Sequence, residues 1–377
     1  MEKTNTASFH LFSLLLQWLQ IAACVFLLNA CVNNHEHSPN EHGHKHAEKE
    51  DLVKHPEIDS LYLDMTAINQ TVDFHKPLEK PIWQSGKGAS HMKDEDTVIG
   101  IEVEDQAYAL PWWILKNHHV ANLTLGEQAV VVTLCEMCGS GSAFKAVVGG
   151  KKMNFREHGI YKGTWFMRDQ ETDSFWLPFE GKAFYGALKD SALTHIDTYQ
   201  IAWKDWGEEN PNTMVLYDSQ SKREGHGARE YLGYDRIAPI YRGTLPDSIG
   251  TDLPMFDIVL GVGSEGVYKA YSMKDLDAEG KVLQDTLSDG STVVVFHKPN
   301  TTMAGAFVPI IEGQSVSFMV DNQGDIRDEQ TNSRWNYFGE CVEGKLQGTQ
   351  LSSHFFIVKE WYGWYGYHPS TDVFERR

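Results

Sequence analysis

Short runs of apolar residues alternate with polar ones over most of the chain between about 95 and 375, and Gly or Asp punctuates them. This period-2 pattern predicts strands over Thr97–Val103, Ala107–Pro111, Ala129–Leu134, Ala143–Val148, Lys152–Arg156 and Thr164–Arg168. Two short helices are expected, Trp112–His118 and Tyr199–Glu208, the second capped by the Thr198 hydroxyl and ended before Pro211. Asp218–Tyr241 is charged and Gly-rich and reads as a long crossing loop. The pattern implies a mainly β or α+β fold.

The pattern repeats. VIGIEVEDQAYAL from Val98 has a partner in VLGVGSEGVYKAY from Val259, and AVVVTLCEMCGSGSAF from Ala129 pairs with TVVVFHKPNTTMAGAF from Thr292. Asp169 to Trp176 corresponds to Asp328 to Trp335, with Gly186 and Gly344 following. Trp203, Trp206 and Pro211-Asn-Thr213 match Trp361, Trp364 and Pro369-Ser-Thr371. Landmarks in one order at an offset near 160 residues point to duplication. The expected organisation is two tandem homologous β-rich units, 92–217 and 253–375, packed as a pseudo-dimer and joined by a connecting segment, 218–252. The Asp-x-x-Thr-x-Ser-x-Trp elements are most simply turn-and-strand devices, with Asp and Thr satisfying backbone donors and Trp entering the core.

Ahead of the repeats lies the apolar run LFSLLLQWLQIAACVFLLNAC, which ends at Cys31 and gives way at once to polar residues. It reads as an export signal over 1–30. Leu28-Asn29-Ala30-Cys31 resembles a lipoprotein cleavage box, with Cys31 as the lipidated first residue of the mature chain; a box ending at Cys24 and an uncleaved membrane anchor are the alternatives. Membrane lipid, engaged through acylated Cys31, is the expected partner, and the cell envelope, facing the periplasm or exterior, the expected location. Residues 31–60 form a tether whose His35, His37, His42, His44 and His46 can gather Zn, Cu or Ni loosely.

Composition narrows the function classes. The chain has 377 residues, 33 Lys+Arg against 52 Asp+Glu, and a net charge of −19, with no long basic run. Nucleic acid is therefore not an expected partner. The five cysteines are too few and too scattered for a disulfide-dense scaffold.

Cys135-Glu-Met-Cys138-Gly139 is the sharpest local motif. Two thiols three apart, followed by a glycine able to adopt positive φ, can face one ion, and the Gly-Ser-Gly-Ser sequence that follows is a poor helix former. The missing ligands must come from His, Met, carboxylate or water: His118 or His119 before the cysteine strand, His158 after it, or Met137. A disulfide or a plain redox pair remains open for Cys135 and Cys138. Cys341, His297, His354 and His368 are expected in core or surface roles. Arg156, Glu157, Tyr161 and Asp169 are candidates for acid, base or orienting groups.

At this point the chain resembles the bacterial DUF3179 (domain of unknown function) proteins. The resemblance spans about 95–375 and rests on Val98-Ile-Gly-Ile with Ala107-Tyr-Ala-Leu-Pro, His118 before Asn122, Thr133-Leu-Cys135-Glu-Met-Cys138-Gly139, Asp169 with Thr172, Ser174 and Trp176, and Trp203 to Thr213. It implies the repeated fold and a Cys/His centre in which His118, rather than His119, accompanies the cysteines. The chain departs from the family pattern at Gly159-Ile-Tyr161-Lys-Gly-Thr164, at Arg168 and at Pro178. In the second unit Lys298 and Thr301 align with the cysteines, so only the first unit carries the dithiol. The expectation is an extracytoplasmic lipoprotein that binds copper, or else zinc, through Cys135, Cys138 and His118. A metal-dependent or thiol-redox enzyme and a metal-free binding scaffold are the alternatives.

Overall fold

A computed structural model describes residues 75–136, 138–221 and 249–376. The signal segment, Cys31, the tether histidines, Met137 and most of the connecting loop lie outside the described residues. The protein is mainly β, as its alternating pattern predicts. Among the described residues no helix is long and apolar enough to cross a membrane.

The first half builds three sheets. Thr97–Val103 lies next to the edge of a five-stranded sheet, pairing antiparallel with the central strand Gln106–Pro111 on one side and with the edge strand Tyr199–Ala202 on the other. Val120–Leu125, Gln128–Cys135 and Ser140–Lys145 form a second sheet, closed by Thr194–Ile196. Phe155–Tyr161, Thr164–Asp169, Phe175–Trp176 and Ala183–Tyr185 form the third. In the second half, Ile258–Ser264 pairs with Val267–Ser272 and with Phe356–Glu360, as Thr97–Val103 does with its neighbours. Phe318–Val320, Ile326–Asp328, Arg334–Trp335 and Cys341–Glu343 repeat the order of the third sheet.

The side-chain contacts recur as well. Gly100 lies against the Trp206 ring and Gly261 against that of Trp364, where an added Cβ would stand 2.4 and 2.3 Å away. Trp206 Nε1 donates to Thr213 Oγ1 at 2.9 Å, and Trp364 Nε1 to Thr371 Oγ1 at 3.0 Å. These contacts seat a short helix, Trp203–Glu209 or Trp361–Tyr367, on its sheet.

Two local expectations shift. Tyr199–Ala202 is a strand and the helix begins only at Trp203. The Thr198 hydroxyl, expected to cap that helix, instead donates to Ile196 O and accepts from Ala143 N, so a strand-to-strand link replaces the cap. The alternating, buried Tyr199 and Ile201 favour sheet over helix there.

Asp169 is a structural hub and not a group free for catalysis. Its fully buried carboxylate accepts from Thr172 N and Oγ1, Ser174 N and Trp176 Nε1. Asp328 makes the same set of bonds with Thr331, Ser333 and Trp335. Removing such an acceptor strands buried donors at ~1–3 kcal/mol each. Asp169→Ala should therefore cost about 3 kcal/mol or more, read as a lower urea midpoint; an unchanged midpoint would show that the hub carries no weight.

Candidate functional site

A helix of one turn, Trp112–Leu115, ends the second strand of the first sheet, and its close decides the orientation of two adjacent histidines. His118 N and His119 N both donate to Leu115 O at 2.9 Å. His119 adopts φ 55, the left-handed conformation that often terminates a helix. A side chain with a Cβ pays about 1–2 kcal/mol for this conformation, so the surroundings must hold His119 there. Leu134 N helps by donating to His119 O at 2.8 Å. The two rings diverge as a result.

His119 is packed between two rings, 3.8 Å from that of His75 and 5.5 Å from that of Trp165, stacked on each. Its Nδ1 lies 3.2 Å from Glu157 Oε2, and His75 Nδ1 lies 2.9 Å from the same oxygen. One donor atom from each of the three residues falls within 4.8 Å of the others. Glu157 belongs to the Phe155–Tyr161 strand, opposite Met167. Asn122 ties that strand to the histidine strand, its Nδ2 donating to Phe155 O at 2.8 Å and its Oδ1 accepting from Phe155 N at 2.9 Å.

His118 serves the same cluster from outside. Its Nδ1 meets Lys76 O at 2.8 Å, and Leu78 exchanges backbone hydrogen bonds with Val120 and Asn122. The segment that presents His75 is thus fastened on both sides. His118, expected rather than His119 to accompany the cysteines, turns instead to Lys76 O, while the left-handed turn at His119 brings that ring to Glu157.

Burial pushes the Glu157 carboxyl up, but hydrogen bonds and charge from His119 and His75 outweigh it and hold the group down at about 2. Glu157 is a carboxylate at any ordinary pH. Two imidazoles and a carboxylate are a common donor set for Zn²⁺ and other divalent transition ions. Tetrahedral coordination at 2.0–2.1 Å needs donors about 3.3 Å apart, and the two nitrogen-to-oxygen spacings, 2.9 and 3.2 Å, lie within a few tenths of an ångström of that.

Cys135 and Cys138 are joined as a disulfide, almost wholly buried. Gly139 has φ 61 and donates its own amide to Glu136 O at 3.3 Å, while Cys138 N points at Cys135 Sγ at 3.2 Å. In this state the sulfurs offer no thiolate, and the structure does not bring His118 to them. His158 is not brought to them either: it packs on Phe166 and Phe175, whereas Glu157 lies with Met167 on the opposite face of the strand. Arg156 lines an open cleft of about 330 Å³ with Pro77, Glu79, Gln170 and Asp173. Tyr161 stacks on Phe184 and accepts a hydrogen bond at its carbonyl from Tyr367. Neither joins the cysteines. Cys341 is fully buried and its thiol is pushed up by burial.

The described residues form a mainly β protein whose sheets recur in its two halves, with a buried disulfide and the His75–His119–Glu157 cluster in the first. The chain belongs to the family described as protein of unknown function (DUF3179), whose model matches residues 77–371. No curated protein and no solved structure matches it.

His158 gives the region a measurable acid sensitivity. Burial, then the charges of Arg168 and Arg156, push its imidazole down to about 4, against about 6.5 when unfolded. Between those values the unfolded chain binds more protons, so stability falls as pH drops from 6.5 toward 4. His158→Phe, which keeps the ring against Phe166 and Phe175, should lessen the loss between pH 7 and 4.5 by roughly 2 kcal/mol in urea unfolding. Equal losses in the two proteins would contradict the assignment.

Proposed function

We propose that this chain is an extracytoplasmic lipoprotein, anchored through Cys31, whose folded region binds a divalent transition metal through His75, His119 and Glu157. The observation that carries the reading is the convergence of one nitrogen from each histidine on a single carboxylate oxygen. Zinc is favoured ahead of copper. The expected thiolates, which select soft Cu(I), are tied up with each other, and the remaining nitrogen and oxygen donors suit Zn²⁺. Three protein donors leave a fourth position for water or a ligand, which suits a site that exchanges or activates what it holds. The tether histidines, in this reading, raise the local metal concentration without forming a rigid site.

Competition against a zinc-chelating dye tests this on the full chain, where the tether contributes equally to every variant. Wild type should hold one zinc more tightly than the tether does. His119→Ala and Glu157→Gln should each lose that equivalent or weaken it by 10–100-fold or more. Cys135→Ser/Cys138→Ser should keep it, and His118→Ala should weaken it less than His119→Ala. Zinc retained by Glu157→Gln but lost from the double cysteine variant would return the site to the dithiol.

A further inference from the structure

Positions related by the sequence repeat differ sharply in chemistry where the two halves meet. Strand residue Ile201 is buried in an apolar cluster against which Phe338 packs, and Phe338 also lies edge-on to Tyr199 and Trp206. At the corresponding positions stand Lys359, in place of Ile201, and His368, in place of Asn210; Phe179 matches Phe338 and is followed by Glu180, which has no counterpart before Gly339. The fold thus closes one of these contacts with hydrocarbon and fills the other with ionisable groups.

Lys359 is fully buried, with its Nζ over the rings of Phe179 at 4.8 Å and Tyr367 at 4.4 Å. That nitrogen has no hydrogen-bond partner among the described residues. Glu180 is buried beside it, its Oε1 3.2 Å from His368 Nε2. Gly363 makes room for the lysine stem, since a Cβ there would come within 2.7 Å of Lys359 Cε. A buried ionic group of this kind is commonly replaceable by apolar residues without loss of stability, and the other half carries apolar Ile201 where Lys359 stands here.

The polar group adjoins the disulfide. Tyr367 donates its hydroxyl to Tyr161 O at 3.3 Å, Tyr161 is paired across the sheet with Thr164, and Thr164 Oγ1 lies 3.9 Å from Cys138 Sγ. Glu360 N donates to Cys138 O at 3.2 Å, and Gln200 Nε2 spans Gly139 O and Val358 O. The cysteine turn therefore rests directly on the strand that carries Lys359. At the related place Lys298, aligned with Cys135, makes an ordinary ion pair with Asp205 at 2.6 Å.

We propose that Cys135–Cys138 is a redox pair that exchanges with dithiols, and that Lys359 favours its reduced state through Tyr367 and Thr164. A thiolate of the dithiol attacks Cys135 Sγ. The Cys135–Cys138 bond breaks and its electron pair stays on Cys138, a thiolate beside Thr164 Oγ1 until it takes up a proton. The second thiol of the reductant then attacks the mixed disulfide, releases Cys135, and leaves as a disulfide. Two electrons and two protons pass from the dithiol to the cysteine pair. Lys359 is a positioning residue here, acting on the sulfur through its neighbours.

The test equilibrates the full chain, with chelator present, against reduced and oxidised dithiothreitol, and counts thiols by alkylation and mass while tryptophan fluorescence reports folding. The wild-type pair should exchange while the protein stays folded. Lys359→Met, which fits a site that is apolar at Ile201, should shift the equilibrium about tenfold toward disulfide, about 30 mV for this two-electron couple. Glu180→Gln should shift it the other way. Reduction only upon unfolding, or one equilibrium constant shared by wild type and both variants, would overturn the proposal. Neither result bears on zinc binding at His75, His119 and Glu157, because the chelator removes that ion.

Discussion

The buried carboxylate of Asp169 is the constraint on which the first half's site-bearing sheet depends. A carboxylate removed from water has to be satisfied by hydrogen bonds, and here one turn supplies all of them, from Thr172, Ser174 and Trp176. That requirement fixes where the Thr164–Asp169 strand ends and how Phe175–Trp176 folds back on it. The strand so fixed carries Thr164 toward Cys138 and Trp165 under His119, and pairs with the strand that bears Glu157. Asp328 exerts the same control in the second half, where the neighbouring positions hold no comparable chemistry.

That contrast separates scaffold from function. The Gly–Trp contacts and the Asp–Thr–Ser–Trp hubs occur in both halves, and are sufficient to explain the sheets and short helices. Among the described residues the disulfide and the His75–His119–Glu157 cluster lie in the first half, and His368 of the second meets Glu180 of the first. A group needed for folding should be present wherever the fold repeats. Groups present at one copy only are the ones that call for a chemical role.

Much of the fold was legible in the sequence, because period-2 alternation and Gly or Asp punctuation reflect the pleat and its turns directly. The Val98, Ala129 and Asp169 segments lie in strands that repeat in the second half as the matched strings suggested. The Trp203 helix was placed too early, since the strand ahead of it shares the same aromatic and aliphatic residues. Glu157 was visible as a polar candidate and His119 as a weaker ligand, but their meeting depends on a left-handed turn that adjacent identical residues do not reveal. His75 went unmarked. It precedes the repeat and reaches the site only because Leu78 bonds to Val120 and Asn122, a long-range pairing with no local signature. The cysteine motif was plain, whereas the choice between ligand and disulfide turns on whether a third donor stands nearby.

The proposed metal site is built from imidazole and carboxylate and stands apart from the cysteines. Crystals of protein purified without added metal, with anomalous diffraction collected on both sides of the zinc edge, test it most directly. The account predicts one peak about 2.0–2.2 Å from a nitrogen of His75, a nitrogen of His119 and an oxygen of Glu157, with the Cys135–Cys138 bridge intact beside it. A peak about 2.3 Å from the two sulfurs, with His118 turned to meet it, would contradict the account.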